Sequence, residues 1–203
     1  MATTTPNYGW TVPTSTDLVK DGATAIETLG DAIDASMNTA LGTKKAGMVL
    51  LNTTSFSGVS SQSVNDVFSA TYDNYRLVFN YLGSANSTAR LKWRISGADN
   101  SSNVYYSQGL LASTTSVTAS ADGPVTTGHI LGQHVTLRSM LSTYDVGNPF
   151  ASLNTQFLGM RAKDGEFELK LAAYDAATSF TGFTIIPASG TITGSVSVYG
   201  YNK

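Results

Sequence analysis

The sequence predicts a mainly β fold: a short N-terminal helix followed by one antiparallel β-sandwich or jelly-roll domain. Three observations lead there. The 203 residues include 24 serines, 27 threonines and 19 glycines, against only 13% charged residues. Threonine favours strands, while serine and glycine favour turns. Period-two alternation of large apolar residues recurs beyond residue 46, the mark of strands with one buried face. A seven-residue apolar recurrence is confined to the first 45 residues. The expected division is therefore an arm and helix over 1–45 and a β-domain over 46–203, large enough to bury a core of its own.

Residues 1–14 read as an irregular arm punctuated by Pro6, Gly9 and Pro13. Tyr8 and Trp10 lie within it and need a packing partner, either the chain's own helix or a neighbouring protein. A helix is expected over 15–41, with Ser15 or Thr16 as N-cap, Asp17 in the first turn and Gly42 past the end. Val19, Ile26, Ile33 and Ala40 recur every seven residues, with Gly22, Leu29 and Ser36 between them. This 3-4 spacing is that of a coiled-coil seam. The stripe is thin, and Gly22 and Gly30 each cost about 1 kcal/mol relative to alanine inside a helix. Such a helix needs neighbours, and the spacing nominates Val19, Gly22, Ile26, Leu29 and Ile33 as trimerisation residues.

Residues 43–47 read as a hinge. Beyond it, eight to ten strands are expected, near 47–54, 63–69, 73–82, 88–96, 104–112, 128–138, 150–161, 166–173, 181–187 and 191–201. Tyr75, Leu77, Phe79 and Tyr81 share one face. Leu91, Trp93 and Ile95 alternate with Arg90, Lys92 and Arg94; Phe167, Leu169 and Leu171 alternate with Glu166, Glu168 and Lys170. In both runs the apolar set is expected inside and the charged set in water. Asp164-Gly165 is a type I′ hairpin signal. Gly97 to Ser102 and Ala119 to Gly123 read as turn-rich breaks, and no internal repeat is visible.

Motifs of catalysis are absent: no GxSxG, HExxH, GxGxxG or P-loop pattern occurs. The chain has no cysteine, which excludes disulfides and thiolate chemistry. His129 and His134 lie five apart in an expected strand and so should face opposite ways, as polar surface or core-edge residues. Asp164, Glu166 and Glu168 can share a strand face, but that is also the pattern of a solvated edge. Arg90, Lys92 and Arg94 form a positive stripe that either meets anions or pairs with acidic neighbours. The net charge of −2 gives no footprint for nucleic acid. No apolar run is long enough to cross a bilayer as a helix, and the N-terminus lacks the pattern of a signal peptide. The sequons at Asn52, Asn86 and Asn100 are matches expected by chance in a chain this rich in hydroxyls. The residues therefore point to a non-enzymatic structural protein without a cofactor or metal.

Two stretches carry a resemblance. TPNYGWTVPTSTDLVKDGATAIETLGDAID resembles the N-terminal segment of many bacteriophage virion proteins, through Tyr8, Gly9, Trp10, Pro13, Thr16 and Asp17. The ending SGTITGSVSVYGYNK resembles the last strand of β-sandwich domains in phage tail and fibre proteins. The resemblance implies a homotrimer on the exterior of a virion, anchored to other virion proteins through Tyr8, Trp10 and Pro13. It also implies a β-domain that meets host-surface glycans. Sugar rings present apolar C–H faces and hydroxyls, so adjacent Tyr105 and Tyr106, which point to opposite faces of a strand, are candidate contacts with one ring outside. The alternatives are a capsid fibre or decoration protein with no ligand, and a glycan-degrading enzyme, which the lack of a convincing acid pair disfavours.

Overall fold

The structure, a computed structural model, describes residues 3–16, 18–41, 47–163 and 165–202. The chain divides into two units, one ending at Gly47 and the other beginning at Met48.

In the first unit, β1 (Thr3–Thr4) pairs antiparallel with β2 (Thr11–Val12). The Thr5 amide donates to the Trp10 carbonyl at 2.9 Å, and Gly9 turns the chain at φ +67°. The arm expected to be irregular is thus a small hairpin. A 3-10 turn over Val19–Asp21 leads into α1 (Gly22–Leu41). The helical region starts later than the sequence suggests. Leu18 is extended at its N-terminus with no side-chain cap, and the Thr14 and Thr16 hydroxyls bond each other at 3.0 Å. Asp17, Gly42 and hinge residues 43–46 lie outside the described residues.

The second unit runs β3 (Met48–Val59), β4 (Gln62–Val64), β5 (Asn74–Gly83), β6 (Ser87–Ile95), β7 (Ala98–Asp99), β8 (Tyr105–Ala112) and β9 (Val117–Val125). It continues with β10 (His129–His134), β11 (Met140–Gly147), β12 (Leu153–Lys163), β13 (Glu166–Thr178), β14 (Gly182–Pro187) and β15 (Ile192–Tyr201). All ladders between these strands are antiparallel. One sheet has the order β3-β15-β5-β11-β12-β13-β8-β9; the other has β10-β6-β14-β4, with β7 beside β6. Aromatic contacts join their facing sides: Phe79 meets Phe183 at 6.1 Å and Trp93 meets Phe157 at 6.3 Å between ring centroids. The arrangement is sandwich-like, as two sheets each apolar on one face require.

The core follows the alternation in β5 and β6. Tyr75, Leu77, Phe79 and Tyr81 point inward, as do Leu91 and Trp93. Ile95, expected inside, is exposed at the end of β6. Trp93 stacks on Phe180, and Tyr144 stacks on Phe157 at 4.3 Å. The Asp164-Gly165 expectation falls on a two-residue connection between paired Lys163 and Glu166, with Gly165 at φ +81° and Asp164 outside the described residues. Three strands of this unit appear where none was expected, the two-residue β7 inside the supposed break at 97–102 among them. β9 covers the supposed break at 119–123, and β11 places Met140, Ser142, Tyr144 and Val146 inward. In the expected strand at 63–69, pairing ends at Val64.

Candidate functional site

The strand β13 reverses the expected polarity. Glu168 and Lys170 are 6% and 3% exposed, while Phe167 and Leu171 are 47% and 48% exposed. Tyr174 belongs in the core opposite Tyr105, and in an unbroken strand this fixes every second residue on the same side. The inward charges meet a partner. Arg161 on β12 is the direct neighbour of Glu168. Its Nε donates to Glu168 Oε2 at 2.8 Å, and its Nη1 donates to the Gln133 carbonyl at 2.9 Å. Lys170 Nζ lies 2.6 Å from Glu168 Oε1. Two cations thus share one carboxylate beside a cavity of about 190 Å³ lined also by Thr88, Thr118 and Ser120. Glu168 is therefore an ion-pair partner rather than a member of an acid–base pair with Glu166.

The consequence on the other side is an apolar outer surface. Three rows of Cα partners cross five strands of the larger sheet. The first is Leu141, Ala162, Phe167, Ala112 and Val117; the second is Thr143, Met160, Leu169, Leu110 and Ala119. The third is Asp145, Leu158, Leu171, Gln108 and Ala121. From β12 to β9 these rows hold no charged residue. At the border, Arg76 donates to both Asp145 oxygens, at 2.8 and 2.7 Å, and the Tyr201 hydroxyl donates at 2.7 Å. Partial burial pushes the Asp145 carboxyl up, but those bonds and the guanidinium charge outweigh it and hold it below its usual range. Beyond this border the face turns to hydroxyls, with Thr53 and Ser197 bonded at 3.1 Å.

The two candidate tyrosines part company. Tyr105 is fully buried; its hydroxyl donates to the Asn100 carbonyl at 3.0 Å and accepts from the Trp93 amide at 3.1 Å. It is a core residue, closed to any sugar. Tyr106 is partly exposed on the outer face, where with Gln108, Gln156, Leu158, Leu171 and Ala173 it lines a depression of about 400 Å³. Flat ring, apolar floor and two amides are the elements of a sugar-contacting surface.

The histidines also depart from expectation. Both are buried and both face inward, because a bulge between Ile130 and Gly132 resets the alternation. Gly132 has φ +128°, and a Cβ there would stand 2.6 Å from Arg161 Cδ, so glycine is required at the bulge. His129 Nε2 accepts from Trp93 Nε1 at 2.9 Å, and Nδ1 lies 3.2 Å from the Tyr106 carbonyl. Burial lowers its pKa to about 3, so it is neutral, with the proton on Nδ1. The basic stripe is internally paired: Arg90 with Asp122 at 2.8 Å, Arg94 with Asp99, and Lys92 with the Ser101 hydroxyl at 3.2 Å. Among the described residues no cluster of three or more His, Asp or Glu is placed to hold a metal, and no helix is long and apolar enough to cross a membrane.

In the first unit, Trp10 folds back on the chain's own helix. Its Nε1 donates to Ser36 Oγ at 2.9 Å, and Tyr8 stacks on it at 5.0 Å while remaining exposed. Pro13 lines a groove with Gly22, Ala25 and Thr28 of α1. The arm thus covers one flank of the apolar sector, where Gly22 and Leu29 are half-buried, as is Ile33. The other flank is open: Val19 is 96% and Ile26 65% exposed, and Met37 is exposed too.

No protein-family model matches the chain, and no curated protein matches it. Among solved structures it is similar to a galectin from Caenorhabditis elegans, at 14% identity and a TM-score of 0.32, over 74% of this chain and 94% of that one. It is also similar to a protein of unknown function from Shewanella oneidensis MR-1, at 10% identity and a TM-score of 0.29, over 80% of this chain and 82% of that one.

Proposed function

We propose that the chain is a non-enzymatic structural subunit on the exterior of a bacteriophage virion, a tail-fibre or tail-tip adhesin that assembles as a homotrimer through its N-terminal unit. The observation that supports this reading is that no described residue from 3 to 40 is buried, although α1 carries an apolar sector. A 20-residue helix that opens on Gly22 and carries Gly30 in its interior gains little stability alone. The seven-residue recurrence of Val19, Ile26 and Ile33 suits a seam with identical neighbours. The resemblance of the arm to phage virion segments supplies the setting, with Tyr8 and Pro13 on the anchoring side. The outer end of the depression at Tyr106, where Gln156, Ala173 and Tyr106 form the next row beyond the three apolar ones, is the proposed contact for host-surface polysaccharide, each contact weak and the three together gaining by avidity.

The test is light scattering on the full chain beside an Ile26→Asp, Ile33→Asp variant. The expected masses are three chains for the first and a lower state for the second. A monomeric full chain overturns the reading. Labelled antibody on intact particles then separates a tail position from the capsid.

A further inference from the structure

We propose that the apolar half of the larger sheet's outer face is a second self-association surface, on which three copies close face-inward as a β-prism. The observations are independent of the helix. Seven large side chains in the three rows, among them Phe167, Met160, Leu110 and Val117, are about half exposed or more. At roughly 100 Å² each, half of what a large side chain buries, they present about 700 Å². That exceeds the ~300–600 Å² of the largest apolar patch on a typical monomer and approaches the ~800 Å² each partner gives a stable interface.

The chemistry of the patch selects its occupant. A surface that meets its own copy must tolerate its own charge, and the rows hold no charge from β12 to β9. Within the five-strand span the rows hold one charge, Asp145 on β11, and Arg76 neutralises it within the chain. Centrally the patch offers Met160, Leu169 and Leu110 and no hydroxyl or amide, which suits another apolar sheet and not a sugar. Its width suits three. Five strands at about 4.8 Å span roughly 19 Å, and the midpoints of three sides of that width lie about 5.5 Å from a threefold axis. This is half the roughly 10 Å between packed sheets, so one layer of side chains from each copy fills the prism. The number three agrees with the proposed helix assembly but is argued here from sheet width alone.

The absence of cysteine makes a direct test available. Single variants Met160→Cys and Phe167→Cys in the full-length chain, with Thr53→Cys on the hydroxyl half as reference, are labelled with a maleimide while their mass is followed by light scattering. We expect at least tenfold slower labelling at residues 160 and 167 than at 53, at a mass of three chains. Adding Leu158→Glu should restore fast labelling at both sites. Protection that persists when Ile26→Asp and Ile33→Asp are added would support closure of the sheets even if the helix reading fails. Labelling at 160 and 167 as fast as at 53 overturns the inference, and does so alone if the mass remains that of three chains. Protection only in larger aggregates overturns the closure in threes.

Discussion

Replacing Glu168 by alanine should destabilise the β-domain far more than replacing its partner Lys170 by methionine. The side chains of Arg161, Glu168 and Lys170 are 2%, 8% and 4% exposed, so little bulk water reaches them. Removing one member of a buried ion pair costs about 3–5 kcal/mol, because it strands a charge without its partner. Glu168→Ala strands two. The adjoining cavity of about 190 Å³ can admit water, which favours the lower end, about 3 kcal/mol. Unfolding of a domain this size in urea falls with a slope of roughly 2 kcal/mol per molar, so the midpoint should drop by about 1.5 M. Lys170→Met behaves differently, since it leaves Arg161 and Glu168 as a matched, doubly bonded pair. Its cost should stay below about 1 kcal/mol, the replacement of a buried charge by an apolar chain being near neutral when the remaining charges balance. Urea unfolding followed by tryptophan fluorescence measures both. A drop below about 0.5 M for Glu168→Ala, or equal losses for the two variants, would refute the reasoning.

Three further outcomes are expected. His129 is held neutral with a pKa of about 3, below the unfolded value of about 6.5; stability is therefore fully present above pH 6.5 and lost as pH falls toward 3. The loss is about 2 kcal/mol by pH 5, and thermal unfolding of His129→Gln should lack that component between pH 7 and 5. Trp10→Phe keeps the stacking on Tyr8 but removes the bond to Ser36, so limited proteolysis should cut the arm several-fold faster while the β-domain stays resistant. Tyr106→Ala should weaken binding to a host-glycan array with unchanged mass and unfolding midpoint, whereas release of free sugar by the wild-type chain would contradict a non-enzymatic role.

Much of the fold was legible wherever alternation involved large residues. In β5 and β6 an inward set of Tyr, Leu, Phe and Trp leaves one assignment of faces. The reading failed where chemistry and face separate. In β13 the pattern showed which residues share a side, but the identity of that side depends on Arg161, seven residues earlier on the opposing strand. The parity of His129 and His134 was lost at Gly132; a glycine inside a strand pattern is a known bulge signal. The inward Ser142 blurred β11, and β9 reads as turn because it is an edge strand made mostly of small residues with Gly123-Pro124 near its end. The division of Tyr105 and Tyr106 followed from strand geometry alone, while the outer depression needed Gln156 from β12. The outer apolar face was hidden by the assumption that leucine and phenylalanine go inside.

The position of β15 bears on how the domain comes into being. This strand is made after every other strand of the domain, yet it lies between β3 and β5 and pairs with both. During synthesis β3 therefore waits, unpaired on that side, while more than a hundred residues follow it. Closing so long a loop is slow but adds little free-energy cost beyond that of a shorter one. A chain interrupted anywhere before Ile192 lacks an interior strand, and its larger sheet is split into β3 and the rest. Ribosome stalling or proteolysis within that stretch yields fragments unable to finish the sheet, so the topology screens incomplete chains out of any later assembly.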